Sequence, residues 1–213
     1  MSGPPHASLG RIRAVDALGF PETASWSGAT ALAPLRRSQD GAPPRRSTTV
    51  RVGLTTEALH VRFDCLGPRR QCRHVTRDAP LWEEDVVEVF LAGGPGVPIR
   101  YAEIEVNPAG ALFDAMIDNP DGHRGTMRAD PGWDAPGLRA RVSADSARGW
   151  TVELQVPWGA IGAGPGGFEA LRANFYRIDR PADGDPEFTA WSPTLVDPPD
   201  FHKPDRFGLL LRP

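Results

Sequence analysis

The stretch Val50–Cys65, VRVGLTTEALHVRFDC, contains two runs in which apolar and polar residues alternate. Val50, Val52 and Leu54 make the first apolar row, and the same spacing returns from Leu59 onwards. A period of two residues is typical of a β-strand with one buried face, and the Thr-Thr-Glu-Ala segment between the runs favours a turn. The stretch therefore predicts a β-hairpin.

The same kind of pattern recurs along the rest of the chain. Only the segment 157–161 suggests a helical turn, with Pro at its start, and the 23 glycines and 23 prolines predict many turns. We expect an all-β fold, a β-sandwich or jelly roll of about nine or more short antiparallel strands. At 213 residues one domain is expected, over residues 14–213, after an irregular N-terminal segment 1–13. Further strand-like segments cover 86–91, 101–107, 111–117, 138–142, 150–156, 171–178 and 207–211.

Charge and hydropathy argue against nucleic-acid and membrane partners. The net charge is −3. Residues 36–77 carry ten arginines against three acidic residues, but the arginine pairs lie in Pro- and Gly-rich segments without interleaved aromatic residues. No run approaches 18 apolar residues, and residues 1–18 lack the apolar core of a secretory signal. We expect a monomer without nucleic-acid or membrane partners, cytoplasmic as the sequence stands.

Motifs for catalysis are missing from the sequence. It contains no Gly-x-Ser-x-Gly, no P-loop, no His-Glu-x-x-His and no strand-associated Gly-x-Gly-x-x-Gly. Glu88, Glu103 and Glu105 could supply the carboxylate pair of a glycoside-processing enzyme. Charged residues that alternate along a strand usually form a solvated face, so we expect a non-enzymatic protein.

Metal and haem sites have weak sequence support. The segment 118–122, Asp-Asn-Pro-Asp-Gly, resembles a calcium loop in composition, but it lacks the distal glutamate of an EF-hand. We interpret it as a turn. Ligation of haem by Met116 or Met127 together with a histidine stays open, although no spacing supports it.

Two tryptophans, Trp82 and Trp191, lie among polar residues in turn-like segments. A flat aromatic ring at the edge of a β-fold can bind the apolar face of a sugar ring. Composition alone leaves a structural role equally open for both residues.

The segment 81–90, LWEEDVVEVF, resembles the Trp-x-x-Asp-x-Val-Glu-Ile-Phe motif of family 9 carbohydrate-binding modules, within the DOMON-like superfamily. Four further segments resemble the family in the same order along the chain. They are 57–61 (EALHV), 104–107 (IEVN), 149–158 (GWTVE followed by PW) and 191–208 (WS followed by PDRFG).

This resemblance implies a β-sandwich that binds a mono- or oligosaccharide, such as a glucan or xylan fragment, without cleaving it. Trp82 and Trp191 would clamp a sugar ring, with their indole faces about 7–8 Å apart, and Glu88 would hydrogen-bond its hydroxyls. The further ligand-binding candidates are Asn174, Tyr176, Arg177, Tyr101, Glu105 and Asn107.

The resemblance also leaves alternatives open. Binding members can carry an arginine where this chain has Glu105, so the sugar preference can differ. Some members hold structural calcium, and most relatives work outside the cytoplasm. A haem-binding DOMON domain and a protein-interaction sandwich, with both tryptophans packed and inaccessible, are the other interpretations.

Overall fold

The chain forms a β-sandwich with fifteen strands in its described part. The computed structural model describes residues 3–67, 72–145, 149–182 and 184–213, except for the side chains of residues 144 and 145. The strands are β1 (His6–Ser8), β2 (Gly10–Arg11), β3 (Thr30–Ala31), β4 (Arg36–Arg37), β5 (Thr48–Leu54), β6 (Ala58–Leu66), β7 (Val86–Gly93), β8 (Arg100–Val106), β9 (Leu112–Asp118), β10 (Arg128–Asp130), β11 (Arg139–Asp145), β12 (Gly149–Pro157), β13 (Ala170–Asp179), β14 (Glu187–Ala190) and β15 (Gly208–Leu211). Short 3₁₀ turns lie at Thr23–Gly28, Leu81–Glu83, Trp158–Ile161 and Pro204–Arg206.

The strands form two sheets, as the alternating pattern predicts. The large sheet has nine strands in the described residues, in the order β1-β15-β13-β7-β8-β9-β10, with β14 paired to β13 and β4 paired to β14. The small sheet has six, in the order β11-β12-β6-β5-β2, with β3 paired to β5. The hairpin predicted from residues 50–65 is confirmed, because β5 and β6 pair antiparallel with Leu54 opposite Leu59.

The main core lies between the two sheets. Val52, Val61 and Val152 of the small sheet and Val89 and Ile104 of the large sheet belong to one buried cluster. Each comes from the apolar row of an alternating strand, so burial of this face is the main force that holds the sheets together.

The N-terminal segment is more ordered than the sequence suggests. Residues 1–13 were expected to be irregular, but β1 pairs parallel with β15 and β2 pairs parallel with β5. These strands are only three and two residues long, too short to give an alternating pattern.

The outer face of the large sheet, which points away from the small sheet, is also buried. Phe90, Tyr101 and Tyr176 lie on this face in a second apolar cluster, together with Phe201 and Phe207 from the segment that precedes β15. The prediction of a solvated strand face at Glu88, Glu103 and Glu105 is therefore wrong, because these residues are 2%, 7% and 1% exposed. The chain between β14 and β15 contributes the cover, which local periodicity does not reveal.

None of the helical segments in the described ranges has the length and apolar character needed to cross a membrane.

Candidate functional site

A cavity of about 270 Å³ opens on the outer face of the large sheet. Its walls combine aromatic and apolar side chains with three carboxylates and three basic groups. The lining residues are Trp82, Glu88, Glu103, Glu105, Phe113, Arg124, Met127, Ala129, Ile178, Arg180, Phe188, Pro199, Phe201 and His202. Concave sites with apolar walls and a few convergent polar groups are the usual form of small-molecule sites.

Trp82 lies at the mouth of this cavity. It belongs to the 3₁₀ turn that leads into β7, and the fully buried Leu81 fixes that turn to the sheet. The indole is 44% exposed and meets the ring of Phe113 edge to face, with centroids 5.3 Å apart. Arg180 Nη2 donates to the Trp82 carbonyl oxygen at 2.9 Å. The Trp82 ring is thus held in place by its contact with Phe113 and by the hydrogen bond to its backbone carbonyl.

Three glutamates form the polar part of the cavity. Glu88 lies directly opposite Glu105 in the pairing of β7 with β8, and Glu103 lies two residues before Glu105 on the same face. Carboxylate oxygens from all three lie within 4.8 Å of one another. We refer to Glu88, Glu103 and Glu105 as the glutamate triad.

Burial and mutual repulsion disfavour ionisation of the triad. Burial raises the pKa of Glu103 to about 7. It also raises the pKa of Glu88 and of Glu105 well above the usual range, and the neighbouring carboxylates add to both shifts. Glu103 and Glu105 share a side-chain hydrogen bond, which requires a proton on one of the two carboxyl groups. The triad therefore carries fewer than three negative charges near neutral pH.

Each basic group of the cavity also contacts a residue outside the triad. Arg124 Nε donates to Asp200 Oδ1 at 3.0 Å, while Arg180 donates to Trp82 as described above. His202 Nδ1 lies 3.0 Å from the Tyr101 hydroxyl, and its Nε2 lies 3.8 Å from Glu103 Oε1. Burial lowers the pKa of His202 to about 4, so this ring is neutral at pH 7.

Comparison with known proteins relates this arrangement to one family. The family model described as carbohydrate-binding family 9 matches residues 42–211, well over half of the chain.

The chain belongs to carbohydrate-binding family 9.

Solved structures agree with the fold of this family. A protein from Bacteroides uniformis that is proposed to bind carbohydrate has 20% identity and a TM-score of 0.75, with all of both chains covered. A family 9 module from Caldicellulosiruptor kristjanssonii in complex with cellotriose has 13% identity and a TM-score of 0.60, with 98% of this chain and 93% of that chain covered. The same module with glucose has 13% identity and a TM-score of 0.61, with 98% and 95% covered. No protein with a curated description matches the chain.

The second tryptophan expected from the family resemblance, Trp191, lies in the core between the sheets. It is 4% exposed, belongs to the main core cluster and meets Phe175 edge to face at 5.8 Å. Gly208 makes room for it, since a Cβ at Gly208 would lie 2.2 Å from Trp191 Cζ3. Trp82 and Trp191 therefore do not face each other across the cavity, and the expected two-tryptophan clamp is not the geometry of this structure.

The nine predicted site residues all lie in the described part of the chain, but only some of them line the cavity. Trp82, Glu88 and Glu105 line the cavity. Asn174 instead holds the turn after Trp191, because it accepts from Ser192 N at 3.0 Å and donates to Ser192 O at 2.8 Å.

The other predicted residues also make internal contacts. The Tyr176 hydroxyl donates to Phe201 O at 2.9 Å, and that of Tyr101 contacts His202 Nδ1. Asn107 accepts from the backbone N–H groups of Ala109 and Ala111 in the turn before β9.

Arg177 reaches towards the small sheet rather than the cavity. Its Nη1 donates to Thr48 Oγ1 at 3.1 Å and to Leu66 O at 3.0 Å. The residue is 2% exposed, so its guanidinium group is buried inside the sandwich and does not face the cavity.

Sequence reasoning missed much of the cavity wall. The sequence indicates Glu103 only as a catalytic candidate, although its two-residue spacing from Glu105 on an alternating strand places it on the same face as that residue. Phe188, Phe201, Arg124 and His202 come from β14 and from connecting segments. No local pattern in the sequence marks their approach to the triad.

The expected calcium site can be tested on two acidic clusters in the described residues. The first cluster consists of Asp78, Asp114 and Asp134. The Arg77 guanidinium forms ion pairs with all three, so a positive charge already occupies this cluster. The calcium-like segment 118–122 is a turn, in which Asp121 Oδ1 accepts from His123 N at 3.0 Å. The glutamate triad is the second cluster, and its carboxylates are chemically suited to a hard cation.

A larger groove of about 510 Å³ lies beside β7 and β8. Its lining residues are mainly glycine and apolar residues, such as Val97, Ile99 and Met116, and Arg100 is the charged residue among them. It brings together no set of acceptors for a polar ligand, so we assign the candidate site to the smaller cavity.

Proposed function

We propose that this protein binds a carbohydrate without cleaving it, in the cavity between Trp82 and the glutamate triad. The observation that supports the proposal most directly is a half-exposed indole beside three buried carboxylates in a chain of carbohydrate-binding family 9. One sugar ring would stack its C–H face on Trp82.

The chemistry of the cavity matches both surfaces of a pyranose. Its C–H faces are apolar and suit Trp82, Phe113 and Phe188, while its hydroxyls are donors for carboxylate acceptors. Hydrogen bonds to ionised carboxylates are stronger than those between neutral groups. The buried Glu105 Oε2, which has no hydrogen-bond partner among the described residues, would gain most from such donors.

The size of the cavity fits one sugar unit, with further units of a chain projecting past Trp82. For a disaccharide of about 23 heavy atoms, roughly −0.3 kcal/mol per atom gives about −7 kcal/mol, or a Kd of roughly 10 µM. Because the C. kristjanssonii module is known with cellotriose and glucose, glucans are the first ligands to test, with xylan fragments next.

The test is calorimetric titration with glucose, cellobiose, cellotriose and xylobiose. We expect at least one of these sugars to bind, and Trp82→Ala to weaken it about tenfold, since burying about 60 Å² of C–H surface contributes about 1.5 kcal/mol. Trp133→Ala is the matched control, because Trp133 is partly exposed but does not line the cavity. Absence of binding to all four sugars, or equal effects of the two variants, would reject the proposal.

A hydrolytic role is the second candidate, and the raised pKa of Glu103, about 7, is the observation that favours it. A glycosidase uses one carboxyl group as a proton donor and a second one across the scissile bond. The three carboxyl groups here instead project from neighbouring strands into one cluster. Release of nitrophenol from aryl glycosides that is lost in Glu103→Gln would establish hydrolysis.

A further inference from the structure

Within the described residues, no arginine or lysine forms a salt bridge with the glutamate triad, and Arg124 lowers the pKa of Glu88 and Glu103 only from a distance. Three carboxyl groups meet within 4.8 Å, while the guanidinium groups of the cavity wall, Arg124 and Arg180, donate to Asp200 and to the Trp82 backbone. A neutral sugar offers hydroxyl donors to this cluster but no positive charge. The structure thus favours a ligand that brings a cation of its own.

The strongest sign of a missing partner is on Glu105. The residue is 1% exposed, and its Oε2 atom is buried without a hydrogen-bond partner. The Trp82 backbone N–H donates to the same carboxyl group, which fixes it beside the indole. A buried acceptor without a donor is costly, and a ligand in the cavity can supply that donor.

The spacing of the triad suits an ammonium group. Such a group has three N–H donors, and charge-assisted N–H···O bonds are about 2.7–2.9 Å long. Acceptors arranged around one tetrahedral nitrogen at that distance lie about 4.4–4.7 Å apart. The oxygens of the triad lie at most 4.8 Å from one another, so one nitrogen can contact all three. Its N–H donors would replace the hydrogen bond between Glu103 and Glu105.

We propose that the preferred ligand is an amino sugar, a hexose unit that carries a protonated amine, with its ring on Trp82 and its ammonium group on the glutamate triad. This inference rests on the proposed carbohydrate-binding function and names its substrate class. It uses both halves of the cavity, the aromatic wall and the carboxylates.

A bare divalent cation would contact only the carboxylates of the cavity and not its aromatic wall. Calcium takes six to eight oxygen ligands in a small shell, whereas this cavity has a volume of about 270 Å³ and aromatic walls. The triad supplies three carboxylates to that shell. The observations therefore favour an organic ammonium ligand, and metal binding becomes an outcome of the test.

The experiment compares three disaccharides that share one skeleton and differ at C2: cellobiose (hydroxyl), N,N′-diacetylchitobiose (acetamide) and chitobiose (ammonium). Titrations are run on the full chain at pH 7, with EDTA and separately with calcium. We expect chitobiose to bind at least about tenfold more tightly than the other two sugars. Glu105→Gln should reduce that ratio, whereas Glu169→Gln, an exposed glutamate paired with Arg212, should preserve it.

The outcomes separate the two proposals. Equal binding of cellobiose and chitobiose would overturn the amino-sugar inference and leave carbohydrate binding intact. Sugar binding that appears with calcium and disappears with EDTA would assign the triad to a metal ion and also overturn it. Absence of binding to any of the three, and to the neutral sugars tested above, would overturn both.

Discussion

The two faces of the large sheet are both buried, but they are built from different chemistry. The inner face presents Val87, Val89 and Ile104 to the small sheet, and its contacts are apolar. The outer face is formed by the alternate residues of the same strands. It carries Glu88 and Glu105, which connecting segments bury. One pair of strands therefore supports the sandwich with one face and holds a costly polar cluster with the other.

The two tryptophans differ in the same way, since Trp191 lies on the inner face and Trp82 on the outer face. Replacement of Trp191 is expected to have the largest effect on stability. Trp191 fills the inner core against Phe175 and Gly208, so Trp191→Ala should lower the free energy of unfolding by about 3–5 kcal/mol. Urea denaturation followed by circular dichroism measures this loss. A loss below about 1 kcal/mol would show that Trp191 is not a core residue.

An intermediate effect is expected from the pH dependence of the outer face. The pKa of Glu103 is about 7 in the folded protein, against an ordinary value of 4.5. The folded state therefore binds more protons between these values, and the contribution of Glu103 to stability is fully present below about pH 4.5 and is lost as the pH rises through 7. Glu103→Gln cannot ionise, so it should gain stability relative to the wild type on the order of 1–3 kcal/mol between pH 5 and pH 8.

Thermal or urea unfolding of both proteins across that pH range checks this prediction. His60 and His202, whose pKa values burial lowers to about 4, destabilise the folded protein as the pH falls below about 6.5. Because His202 Nε2 lies 3.8 Å from Glu103, the difference between the two proteins reports on the glutamate most directly above that pH. Glu169→Gln is the control for loss of an exposed glutamate. A difference between Glu103→Gln and the wild type that stays constant with pH would contradict burial of a charge at Glu103.

The smallest effect on stability is expected at Trp82. Trp82 is 44% exposed and its main aromatic contact is the edge-to-face one with Phe113, so Trp82→Ala should cost less than about 1.5 kcal/mol. The same urea titration as for Trp191→Ala provides the measurement. A cost as large as that of Trp191→Ala would show that Trp82 is a packing residue and remove the difference between the two faces.

The sequence was sufficient for the sandwich and insufficient for the complete site. Alternation at 50–65 and the motif at 81–90 predict strands that the structure contains. Trp82 and Glu88, which the motif marks as binding residues, line one cavity. They could not show that the segment between β14 and β15 covers the outer face, because Phe201 and His202 approach the triad only through tertiary packing.

The polar neighbours of Trp191 explain why its burial was missed. Thr189 and Ser192 favoured an exposed turn in the sequence, yet they are 3% and 0% exposed. Thr189 Oγ1 donates to Arg177 O, and the Ser192 backbone pairs with the Asn174 amide. A polar residue beside an aromatic ring therefore does not indicate exposure when its side chain or backbone has an internal partner, and here those partners, Arg177 and Asn174, lie on β13.

We propose that the outer face binds sugar through Trp82 and the glutamate triad. A crystal structure of the protein soaked with cellotriose and, in parallel, with chitobiose tests it most directly. We predict electron density for one sugar ring stacked on Trp82, with its polar groups within about 3 Å of Glu88 or Glu105. Density in the groove lined by Val97 and Ile99, or none at any position with either sugar, would contradict the account.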